Sequence, residues 1–203
     1  GLLGYDVRVL TLLVLTSLLA APPRPVLQPT PAALRRAVEA AAPALVEVKG
    51  PKGHGSGIVV GVNGEVLTSV RFVALEKARV RTAKGRAQAK VIAASAYLGT
   101  ALVRPETSLF TRPVAVKGAA TPVMGGWLIA VERAHPQRAT SVRILGASTS
   151  SAFLQLASPL EPGTALFDDH GGLVALVTRR QGNLSTAVKL SAVKAQLAAA
   201  GTR

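Results

Sequence analysis

Hydrolysis by a side chain needs a nucleophile with a base in reach of it. In this 203-residue chain the candidate bases are three histidines, His54, His135 and His170, and the candidate nucleophiles are hydroxyls such as Ser69 and Thr164. No Ser-His or Thr-His pairing is visible in the spacing. His54 lies in the turn before Gly55-Ser56-Gly57, His135 precedes Pro136, and His170 closes an Asp168-Asp169-His170 turn. All three read as exposed loop histidines. The Asp-Asp-His turn could hold a divalent cation weakly, but polar turns have this composition routinely, so neither a metal nor a cofactor is expected. Cysteine is absent, which excludes disulfides and thiolate-bound zinc. One stretch, "EPGTALFDDHGGLVAL" from Glu161 to Leu176, has the outline of a nucleophile loop: an acid, one residue, glycine, small residues, then Leu-Phe. Pro162 stands where the nucleophile would be.

A second set of residues is suited to binding. The formal net charge is +14, with 24 Lys and Arg against 10 Asp and Glu. Such an excess raises affinity for polyanions and anionic surfaces. It concentrates in "EKARVRTAKGRAQAKV", which carries Lys77, Arg79, Arg81, Lys84, Arg86 and Lys90 against one acid, Glu76. Arg79 and Arg81 alternate and so share one strand face. A solvated strand protected by positive charge against mispairing would look the same. Aromatic residues are scarce at 3%, so stacking on single-stranded nucleic acid is poorly supported.

The elements that must position these groups are mostly strands. Thr30 can cap a helix that begins at Pro31 and continues through "AALRRAVEAAAP", with Leu34, Val38 and Ala41 on one face. Beyond Pro43 the period falls to about two, through roughly a dozen short β-rich segments divided by turn residues. They run from "ALVEVKG" to "LSTAVKL" and include "RPVAVKG" at 112–118. "VNGE" at 62–65 predicts an Asn-Gly hairpin of type I′. A last helix is expected from Ser191 as cap to Gly201. Strands without intervening helices argue for an all-β barrel or sandwich. Ahead of these, residues 1–21 are expected to form a signal peptide or membrane anchor; their apolar run, 9–21, is too short for the roughly 20 residues of a spanning helix but suits a signal-peptide core. The Pro-rich stretch 22–30 separates it from a domain covering 31–203.

The ordered segments of 43–200 resemble trypsin-like serine peptidases of the HtrA/Deg type. "GHGSGIVVGVNGEVLTSVRFV" resembles the small-residue strand, hairpin and histidine segment of that family. "GTALVR" resembles its aspartate segment, "ATSVRILG" a later strand, and "EPGTALFDDHGGLVAL" its nucleophile segment. The resemblance implies two six-stranded β-barrels packed together, with an active site in the cleft between them. It also aligns Arg71 with the catalytic histidine, or Phe72 or Ser69 after a slight slip of register, Thr100 with the aspartate, or Gly99 after a one-residue slip, and Pro162 with the serine. A guanidinium stays protonated near neutrality and cannot be a general base. Threonine is no carboxylate. Proline lacks both a nucleophile and the N–H that an oxyanion hole would use.

These substitutions lead to the expectation of a non-catalytic pseudo-protease, an inactive homologue acting as a binding or scaffold subunit of an exported or membrane-associated assembly. The expected partner is a protein, acidic in character, with an anionic surface as a second candidate and no specific nucleic acid. A basic binding module for an anionic polymer or membrane, and an active serine endopeptidase with an unorthodox site, are the two alternatives. The expected location is the periplasm or its membrane.

Overall fold

The structure, a computed structural model, describes residues 27–73, 77–109, 112–116 and 121–199. The apolar run 9–21 lies outside them, as do Glu76 and the first part of the Pro-rich stretch. Helix α1 (Pro31–Ala41) begins as its sequence predicts: the Thr30 side chain accepts from the Ala33 N–H at 3.2 Å, and Pro31 occupies the first turn. Its fully buried positions are Ala33, Ala37 and Ala41, whose small side chains allow close packing. Leu34 and Val38 flank them, partly buried. Its neighbours are strands β7 and β8 of the second barrel, defined below.

Twelve strands follow. The first barrel is built from β1 (Leu45–Gly50), β2 (Gly53–Val59), β3 (Val66–Ser69), β4 (Lys77–Thr82), β5 (Gly85–Ser95) and β6 (Thr100–Pro105). It closes in the order β1-β2-β3-β6-β5-β4. The second uses β7 (Trp127–Val131), β8 (Ala139–Ala147), β9 (Phe153–Leu156), β10 (Ala165–Phe167), β11 (Leu173–Gln181) and β12 (Leu184–Lys189). It closes in the order β10-β11-β12-β9-β8-β7. Closure removes the unpaired edges that a short-stranded sheet would otherwise expose. All ladders in both barrels are antiparallel. In β4 the period-two pattern is plain: Ala78 and Val80 are buried while Lys77, Arg79 and Arg81 are exposed. Two packed six-stranded barrels and few short helices form the trypsin-like double barrel.

Three local expectations are corrected. The Asn63-Gly64 hairpin is present, but the turn closes one residue earlier, with the Gly64 N–H donating to the Gly61 carbonyl at 3.0 Å. Gly64 then takes φ +83° as the residue after the turn, the wider-loop form of a hairpin. Buried Glu65 holds this loop by accepting from the Asn63 N–H at 3.1 Å and from Arg104 Nε at 2.9 Å. Residues 112–116 are irregular, not a strand; Pro113 has no N–H for a ladder, and the segment is tied by the Val114 N–H to the Val59 carbonyl at 2.9 Å. Near the C-terminus Ser191 sits inside a 3-10 turn, Leu190–Val193, and the α-helix proper, α2, covers Lys194–Ala199.

Candidate functional site

The cleft between the barrels is assembled by two glycine contacts. Gly55 lies under the Phe72 ring, where a Cβ would stand 2.2 Å from the ring carbons. This seats the 3-10 turn Val70–Phe72 on β2, buries Phe72 and leaves Arg71 exposed at the cleft. The Arg71 guanidinium sits 5.9 Å from the centroid of the Phe72 ring. From the second barrel, Gly163 adopts φ +86° and presses on β2 so closely that a Cβ would fall 1.9 Å from the Ser56 carbonyl oxygen. Only glycine meets both demands.

The loop carrying Pro162 is a tight turn. The Thr164 N–H donates to the Glu161 carbonyl at 3.1 Å, with Pro162 and Gly163 as the central residues. Proline followed by a positive-φ glycine is the sequence of a type II turn. The Gly163 N–H donates in turn to the Val177 carbonyl at 2.7 Å. Hence Pro162 has no N–H, and those of Gly163 and Thr164 are already engaged. Neither of those two N–H groups is left for a developing oxyanion.

Thr100, at the start of β6, is fully buried and donates its hydroxyl to Gln196 Oε1 of α2 at 2.8 Å. Ser69 Oγ, also buried, donates to the Thr178 carbonyl at 3.4 Å, across the barrel interface. Thr164 Oγ1 is buried without a hydrogen-bond partner. Arg71, Thr100 and Pro162 are thus not gathered into one reacting centre. Arg71 and Pro162 share the cleft, while Thr100 is locked into a packing contact with the C-terminal helix.

The cleft itself has a volume of about 670 Å³ and is lined from the first barrel by Lys52, His54, Arg71 and Phe72. From the second it is lined by Glu161, Pro162 and Arg180. His54 is the residue that local reading misplaces. It is exposed, as expected of a loop histidine, but it belongs to β2 opposite Lys49 and opens onto the same cleft as Glu161. Its position just before the Gly-Ser-Gly strand was the available signal. His135 lies in an exposed turn, its N–H donating to the Glu132 carbonyl at 3.0 Å. The Asp168-Asp169-His170 turn is accounted for structurally: Asp168 Oδ1 accepts from the N–H groups of His170 at 2.9 Å and Gly172 at 2.8 Å. Among the described residues no cluster of three metal-ligating side chains occurs. No helix among them is long and apolar enough to cross a membrane.

A cleft between two closed six-stranded barrels, lined by the segment after β3 and the loop before β10, is the arrangement of a trypsin-like protease fold. Solved structures carry the same fold. The Rv3671c protease in an inactive form is 19% identical over 87% of this chain and 99% of its own, with a TM-score of 0.65. A serine-to-alanine mutant of Rv3671c from M. tuberculosis H37Rv, also inactive, is 20% identical over 87% and 96%, with a TM-score of 0.66. The active form of the M. tuberculosis protease is 19% identical over 90% and 92%, with a TM-score of 0.66. No protein-family model matches the chain, and no curated protein matches it by sequence.

These neighbours overturn the expectation of a non-catalytic pseudo-protease and of an inactive enzyme homologue. All three are structures of a protease, and one of them is in an active form. Replacement at Arg71, Thr100 and Pro162 closes one chemical route, attack by a hydroxyl at position 162. It does not remove acid–base groups from the cleft, and the alternative of a protease with an unorthodox site accords better with the fold.

Proposed function

We propose that the chain is a peptidase of the trypsin-like fold that works through an unorthodox site, with water as the attacking group. The observation that carries this reading is the cleft that brings His54, Arg71 and Glu161 together around Pro162 from both barrels. Glu161 takes a proton from water as its oxygen bonds to the peptide carbonyl carbon, with His54 lining the same cleft from the other barrel. The Arg71 guanidinium pairs with the carbonyl oxygen as it becomes negative, supplying what the turn's N–H groups cannot. The proton then passes to the leaving amine as the C–N bond breaks. The excess of cations in the cleft, Lys52, Arg71 and Arg180 against Glu161, suits a polypeptide with acidic side chains. No metal or cofactor enters this scheme.

The order of segments along 43–200 supports placing the chain near the HtrA/Deg type. The apolar run 9–21 and the Pro-rich stretch 22–30 support an exported domain covering 31–203, in the periplasm or at its membrane.

The test is cleavage of unfolded casein by the purified full chain in the presence of a chelator. Expected are slow cleavage, no labelling by a serine-directed fluorophosphonate, and a rate about a hundredfold lower for Glu161→Gln. Absence of cleavage, or labelling of a serine, overturns the reading.

A further inference from the structure

Away from the cleft, the outer face of the first barrel carries a grid of like charges. Strands β1, β4 and β5 lie side by side, and their registers set Lys77 opposite Lys90, Arg81 opposite Arg86, and Lys49 opposite Arg79, with Glu47 opposite Arg81 as the exception. Ala78, Val80, Ala87 and Ala89 fill the core between them, so the cations all stand outward. Like charges directly opposite each other weaken a sheet. Folding alone therefore does not account for the pattern. The described carboxylates at this face are already engaged: Glu47 with Arg133 at 3.6 Å and Glu106 with Lys90 at 3.8 Å. Between the strands and the β4–β5 turn lies a dish of about 580 Å³, lined by Lys49, Arg79, Arg81, Lys84 and Arg86 with Glu47 as its one acid.

We infer that this face binds the phosphate-bearing headgroups of an anionic phospholipid membrane. Arginine forks match phosphate oxygens two at a time, and three of the five lining cations are arginines. The cations spread in two dimensions, about 5 Å apart between strands and about 7 Å apart along them. A plane of headgroups can meet such a grid. The dish has no aromatic side chain on which bases would stack and no apolar anchor of the kind that centres a protein interface. The sequence supplies the complement: the apolar run 9–21 is joined to α1 by residues 22–30, which reach roughly 30 Å at full extension. A membrane-inserted run would hold the barrel within that distance. One apolar element and one polybasic surface are the two signals that stable membrane attachment takes. The inference stands independently of the chemistry in the cleft.

The test is sedimentation of the full chain with vesicles of phosphatidylcholine alone and with vesicles in which about a third is phosphatidylglycerol. Binding to the anionic vesicles is expected to exceed binding to the neutral ones by about a hundredfold, and high salt should abolish the excess. The combined variant Arg79→Ser, Arg81→Ser, Lys84→Ser, Arg86→Ser should lose at least about tenfold of that excess. It should keep its affinity for neutral vesicles and melt no lower than the wild-type chain, since the like-charge pairs it removes weaken the sheet. An excess that persists in the variant overturns the proposal. So does competition by millimolar inorganic phosphate, which would mark free phosphate as the ligand. So does a variant that keeps the lipid excess while losing affinity for polyglutamate or duplex DNA.

Discussion

Pro162 alters more than the identity of one side chain. In the turn Glu161–Thr164 it supplies the fixed φ of the second position and removes an N–H, while the neighbouring N–H groups are spent on Val177 and Glu161. A serine restored there would bring back its own N–H, but the N–H groups of Gly163 and Thr164 stay engaged and Arg71 cannot take its proton. Pro162→Ser alone is therefore expected to leave casein cleavage unchanged and to acquire no fluorophosphonate label, measured side by side with the wild-type chain. Rapid labelling would mean that the turn rearranges to free its donors. Glycine spacing around position 162 made this loop legible in the sequence. The company it keeps was not legible. His54 is more than a hundred residues away in the chain, and its approach to Glu161 depends on the β1–β2 register and on how the barrels meet, neither of which leaves a local signal. Thr100 illustrates the opposite case. Its place was readable from "GTALVR", but its hydroxyl bond to Gln196 spans 96 residues and shows only in three dimensions.

At the scale of elements, the strands follow the period-two pattern because closed barrels bury one face of each strand, and β4 and β5 show this most plainly. Residues 112–116 have the same apolar alternation yet form no ladder. Pattern reports which side chains are buried, not whether the backbone finds a partner strand. The β2–β3 hairpin depends on Glu65, which is wholly buried and bonded to the Asn63 backbone and side chain and to Arg104. Glu65→Ala removes the acceptor of the Asn63 N–H and one partner of the half-exposed Arg104. Urea unfolding should show a loss of about 2 kcal/mol, since such bonds contribute modestly but are costly to leave unmade. A loss within about 0.5 kcal/mol, the range of ordinary surface substitutions, would mean the loop is held by its glycines alone. Thr30→Ala should cost less, about 1 kcal/mol, because it removes one capping acceptor at the start of α1.

On the scale of the whole molecule, the cleft exists only while the two barrels are pressed together, and Gly163 against Ser56 is a point where their backbones meet closely. The effect of that contact can be separated from the conformational effect of glycine itself. Gly163 has φ +86°, and an alanine there would place its Cβ 1.9 Å from the Ser56 carbonyl oxygen. Gly125, in the turn before β7 and outside the cleft, has φ +78° and nothing within 4 Å of where a Cβ would be. Both substitutions carry the left-handed penalty of an L-residue, about 1–2 kcal/mol. Only Gly163→Ala must also push the barrels apart, which adds about 1–3 kcal/mol of overpacking. Urea unfolding should therefore rank Gly163→Ala as clearly more destabilising than Gly125→Ala. If apposition makes the cleft, Gly163→Ala should also lower casein cleavage under conditions where the variant is still folded, while Gly125→Ala leaves it intact. Equal losses of stability for the two would show that the turn yields without moving the barrels. Unchanged cleavage in a destabilised Gly163→Ala chain would then place the working groups on one barrel alone, and Glu161 could not be acting across from His54 and Arg71.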